Sequence, residues 1–120
     1  MIVFVAMSLD YASDHLTAAV RSLATSERPL LERLQISWDE HVQMVWMKPC
    51  LTLDLLRDFR ELWRSYTALS DDRESTKLRA LTPDEAVVAI ESLVSLAGAV
   101  AVAAATRTDE PLATLTDLGS

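Results

Sequence analysis

"TPDEAVVAIESLVSLAGAVAVAAA", residues 82–105, decides the fold of this chain. Thr82 carries the side-chain oxygen of an N-cap, and Pro83 suits the first helical position. Asp84 and Glu85 fall near the positive end of a helix dipole. The spacing predicts a helix over 83–105, with Val87, Ile90, Leu93, Val94 and Ala97 facing inward. After Leu96 the segment is apolar nearly all round, so several neighbours or a second copy must cover it. Residues 86–105 are long enough for a membrane span, but Glu91 would be costly in lipid. A central helix of a soluble bundle is the expected reading.

Three more helices follow outward from this one. Over 53–69, Leu55, Leu56, Phe59, Leu62, Trp63, Tyr66 and Leu69 share a face, opposite Arg57, Arg60, Glu61 and Arg64. Thr52 stands where an N-cap belongs. Over 29–47, apolar residues at 30, 31, 34, 38, 42 and 45 form one stripe that keeps phase through Ser37. One continuous helix is therefore expected, although Ser37-Trp38-Asp39-Glu40 has the form of a capping box. Pro29 starts this helix and Lys48-Pro49 stops it. Over 8–25, Ser8 is a good N-cap, and Leu9, Ala12, Leu16, Ala19, Val20 and Leu23 lie on one side. "SDDREST" (70–76) is expected to be a solvated loop. The fold class expected is all-α, a four-helix bundle with helices at about 8–25, 29–47, 53–69 and 83–105.

Residues 1–7 form an apolar N-terminal extension. "MIVFVA" is rich in β-branched residues, yet no other segment alternates as a strand would. Either Met7 is the biological start, or these residues extend the first helix and pack on a partner. Residues 106–120 read as a polar tail, in which Leu112, Leu115 and Leu118 recur every third position and could dock weakly.

Composition excludes several functions. Only two glycines occur, at 98 and 119, so no glycine-rich phosphate loop exists. The net charge of −7 disfavours direct binding to nucleic acid. The single Cys50 cannot form an internal disulfide or a cysteine zinc cluster, and a cytoplasmic setting fits best. It is expected to be a structural thiol in a connection between helices.

"ISWDEHVQMVWMKPC" (36–50) gathers the residue types of an active site. Wound into an α-helix it disperses. Asp39 and Glu40 fall roughly 200° and 100° from His41, so neither shares its side of the helix. His41 then sits at the rim of the core stripe. His15 lies at the margin of the first helix, and the two histidines would make a site only if they met in space. No metal-ligand spacing and no nucleophile elbow is present, so no catalytic residue, metal or cofactor is expected.

Two surfaces remain as candidates. Trp38, His41, Met44 and Trp63 would line an apolar pocket between helices. Ile36, Trp46, Met47, Val100 and Val102 would form an interface, because large apolar groups off a core stripe suggest a second contact.

"LATSERPLLERL", "EHVQMVW", "LLRDFRELW" and "TPDEAVVAIESLVSL", spanning about residues 9–100, resemble segments of small bacterial all-helical proteins of unknown function. These are helix-start and core patterns, so the resemblance implies a fold and no chemistry. The functional expectation is a non-catalytic interaction or regulatory module that self-associates, as a homodimer or with another protein partner. The alternatives are a small-molecule binder using the Trp/Met/His pocket and an acidic decoy for a basic nucleic-acid-binding partner. No nucleic acid or membrane is expected as a partner.

Overall fold

A computed structural model of the chain describes residues 2–25, 27–47, 50–69, 74–106 and 111–113. The side chains of 2–7, 68–69 and 74–77 are not among those described. The chain is mostly helical, with one short two-stranded ribbon.

Helix α1 runs Ile2–Thr25, six residues earlier than the expected start at Ser8. Ser8 is buried inside it instead of capping it. Once a helix is nucleated, each added residue gains a hydrogen bond, and a β-branched residue costs only a few tenths of a kcal/mol. An apolar prefix can therefore be drawn into a helix that already exists. Leu9, Ala12, Leu16, Ala19 and Leu23 form the buried face, as the spacing predicts, with Val20 at its margin.

The second helical run is continuous, as the unbroken stripe indicates, but not uniform. Helix α2 (Leu30–Ser37) passes into a π turn (Trp38–Val42) and then α3 (Gln43–Trp46). Pro29 stands just outside as the N-cap residue. Leu34, Trp38 and Val42 are each four apart, and in an α-helix every such step overshoots a turn by roughly 40°. The π turn covers the second of these steps, Trp38 to Val42, and all three side chains are buried. Ser37 caps nothing. Its buried hydroxyl donates to the Ala19 carbonyl at 2.8 Å and ties α2 to α1. The expected stop at Lys48-Pro49 lies outside the described residues.

Helix α4 spans Leu53–Tyr66 and buries Leu56, Phe59, Leu62 and Trp63. It ends three residues before the expected boundary, where Thr67 donates its hydroxyl to the Trp63 carbonyl at 2.6 Å. Leu69 is consequently not on its face. Strand β1 (Thr67–Leu69) pairs antiparallel with β2 (Glu74–Leu78), correcting part of the expected 70–76 loop. The rest of that loop, 70–73, lies outside the described residues. Strands this short show no readable alternation, which is why the ribbon escaped the sequence.

Helix α5 covers Pro83–Ala105, matching the expected bounds. Thr82 accepts the Glu85 backbone N–H at 3.2 Å, and the Glu85 carboxylate accepts the Thr82 N–H at 3.0 Å. The same carboxylate takes Arg79 at 2.8 Å. Arg79 also donates to the Ser65 carbonyl at 2.8 Å, so it clamps the end of α4 to the start of α5. The Arg79 guanidinium, with the Thr82 N–H, holds the Glu85 carboxyl down at about 2, below its usual 4.5. Because the folded value is the depressed one, this contribution is complete above about 4.5 and is lost as pH falls toward 2. Thermal unfolding followed through that window should show a midpoint that drops more steeply in the native chain than in Glu85→Gln.

The buried face of α5 is Ala86, Ala89, Leu93, Leu96, Ala97, Val100 and Ala104, packed against α1, α4 and α2. Val87 and Val94, expected inward, are exposed. The core side alternates alanines with Leu93, Leu96 and Val100, and leaves Val87 and Val94 outside. α5 is long and apolar enough to cross a membrane by length and composition alone. Beyond it, Ala113 donates to the Leu51 carbonyl at 2.9 Å, and Leu112 bridges Thr52. Part of the expected free tail is thus docked at the entry to α4; Leu115 and Leu118 lie outside the described residues.

Candidate functional site

Tyr11 and His15 are four apart on α1 and therefore neighbours on its surface. Their rings meet edge to face at 4.6 Å. The π turn brings His41 to the same place, with its ring centroid 6.0 Å from that of His15. The chain's two histidines, 26 positions apart, thus share one site. The Tyr11 hydroxyl reaches the Met44 carbonyl at 3.5 Å, adding a contact between the same two elements.

The electrostatics of His41 also differ from the α-helical expectation. Its Nε2 lies 4.0 Å from a Glu40 carboxylate oxygen. An α-helix would set these neighbours roughly 100° apart, whereas the π turn has a smaller step per residue. Nδ1 of His41 is buried without a hydrogen-bond partner among the described residues. Within those residues no group of three His, Cys, Asp or Glu side chains converges.

Beside the histidines the tryptophans fill space with one another. Trp63 stacks on Trp46 at 4.4 Å with planes 5° apart, and on Trp38 at 5.4 Å. Phe59 packs edge-on against Trp46 at 6.0 Å. Of the expected pocket residues, Trp38 and Trp63 are fully enclosed, His41 is part-buried and Met44 is exposed. The two indole faces are turned toward each other and not toward a cavity. The grooves among the described residues lie elsewhere. One of about 400 Å³ separates α4 from α5, between Glu61, Tyr66, Ser92 and Ser95. Another, of about 300 Å³, lies on α4 among Arg57, Arg60, Glu61 and Arg64.

The expected interface residues also separate. Trp46 is covered by Trp63 and Phe59, and Ile36 is half-buried. Met47 and Val102 are open to solvent, at 67% and 64% exposure. Val100 is fully buried, a correction to its place in the expected interface, because it is on the core side of α5. Cys50 is buried, its thiol 3.8 Å from the Val45 carbonyl, as a structural thiol would be.

Sequence reasoning missed a row on α5. Val87, Val94 and Val102 lie on one side of that helix, with Gly98 between the last two. The seven-residue step from Val87 to Val94 was the available signal. It went unread because the helical spacing sets Val87 and Val94 on the inward side of the early turns and leaves only Val102 of this row as a contact residue. No family model, curated protein or solved structure matches this chain.

Proposed function

We propose that this chain is a non-catalytic cytoplasmic interaction module, a four-helix bundle that self-associates through the exposed side of α5. The observation that carries this reading is the valine row: Val87 and Val94 are each 45% exposed and Val102 is 64% exposed. Glu91 is the only charge of α5 between Glu85 and its C-terminal end. Exposed aliphatic rows of this kind are what a partner surface covers. A second copy fits it, because a two-fold axis makes one patch complementary to itself. Antiparallel pairing about residues 94–95 sets Val94 near the partner's Val94 and Val87 opposite the partner's Val102. It also sets Glu91 opposite the partner's Gly98. No atom stands within 4 Å of the place where a Cβ on Gly98 would point, so that gap is open to receive a side chain.

The alternatives have less support. A small-molecule pocket at Trp38 and Trp63 would need the volume that their stacked rings occupy. An acidic decoy needs clustered negative charge, whereas the outer side of α4 carries Arg57, Arg60 and Arg64 beside Glu61.

Sedimentation velocity of the native chain across micromolar to sub-millimolar concentration tests the proposal. A concentration-dependent shift to a dimer is expected. Val94→Glu should weaken it at least roughly tenfold, about 1.4 kcal/mol, with the helical circular dichroism unchanged. A strict monomer throughout that range overturns the reading.

A further inference from the structure

We infer that His15 and His41 bind one divalent transition-metal ion of the imidazole-preferring class, zinc, nickel or copper, between α1 and the π turn. This stands on the histidine pair alone and is independent of self-association. Three observations support it. The rings stand 6.0 Å apart, between centroids, at a tilt of 45°. Two imidazoles on one tetrahedral zinc, with metal–nitrogen bonds of about 2.0–2.1 Å, hold their centroids roughly 5 Å apart. The remaining gap of about 1 Å is within reach of small side-chain rotations, since both rings are only part-buried.

The second observation is the orphan Nδ1 of His41. A buried ring nitrogen with no partner is destabilising, and a bound ion gives it one. The third is Glu40, 4.0 Å from Nε2 of the same ring. That separation is longer than a hydrogen bond, and a small rotation of the exposed Glu40 side chain would let it accept from Nε2–H, which leaves the Nδ1 lone pair to a metal. Carboxylate behind histidine behind metal is the usual outer arrangement of such ligands. His41 lies within the π turn, beside both Glu40 and His15. Water completes the coordination, consistent with the lack of a third converging protein ligand among the described residues.

The test uses untagged, chelator-treated full-length chain, with zinc chloride and nickel sulfate as probes in separate calorimetric titrations. Saturable binding of one ion per chain is expected, with a thermal midpoint that rises with metal concentration. His15→Asn and His41→Asn should each weaken binding roughly a hundredfold, because a two-point chelate becomes a single contact. Glu40→Gln should weaken it less, by about tenfold, since that residue orients and does not ligate. If a histidine variant does not fold, ¹⁵N spectra of the native imidazoles decide: zinc should move the Nδ1 resonance of His41 and a ring nitrogen of His15. Absence of saturable binding, binding of unchanged strength in both histidine variants, or imidazole resonances unmoved by zinc each overturn the inference.

Discussion

Trp63→Ala is expected to lower the free energy of unfolding by about 4 kcal/mol. Trp63 is the central ring of a three-tryptophan stack, with Trp46 on one contact at 4.4 Å and Trp38 on the other at 5.4 Å. It is also 6.0 Å from Phe59 on its own helix. Truncation removes the transfer energy of an indole and leaves a cavity that three aromatic neighbours cannot collapse into without moving two helices. Aromatic pairing adds about 0.5–1.5 kcal/mol per contact beyond burial. Trp63→Phe should cost markedly less. The buried Nε1 of Trp63 has no hydrogen-bond partner among the described residues, so that substitution sacrifices ring area and no polar bond there. Denaturant unfolding of both variants gives the comparison. A loss below about 1 kcal/mol for the alanine variant would mean that the stack does not hold the helices together.

The second large effect separates two valines two positions apart. Val100→Asp should unfold the chain or cost more than about 4 kcal/mol, because it forces a carboxylate into a fully buried position with no partner. A loss of that size is comparable to the whole stability of a small domain. Val102→Asp changes the same residue type to the same charge at a site 64% exposed. It should alter stability by no more than about 0.5 kcal/mol. Its effect belongs in association, where it sets a carboxylate in the proposed contact row. Circular dichroism melts paired with sedimentation of the two variants measure both quantities. Similar destabilisation by the two substitutions would contradict the placement of α5.

The sequence disclosed the elements well where the signal was local. Thr82, Pro83 and Glu85 fix the start of α5 within a few residues of chain, and the structure begins that helix at Pro83. The stripe from Leu30 to Val45 correctly argued for an unbroken helical run past the capping-box-like "SWDE". It could not reveal the π turn at Trp38–Val42, within which Trp38 and Val42 are fully buried. Ser8 shows the opposite failure. A good local cap was overruled by helix propagation into an apolar prefix.

For the candidate site the divide is sharper. Local winding sets His41 apart from Glu40, yet a Glu40 carboxylate oxygen stands 4.0 Å from the His41 ring. Whether His15 and His41 meet depends on how α1 lies against the π turn, and no periodicity encodes that relation. Likewise, the spacing placed Val87 and Val94 inward, and packing turned both outward while burying Val100. By itself the sequence determined helix identity and most boundaries, because caps, prolines and spacing act within a few residues. The tertiary structure alone decided the histidine contact, the tryptophan stack, the Arg79 clamp and the outward row of α5. Those depend on contacts between residues far apart in the chain, chosen by which faces pack most closely.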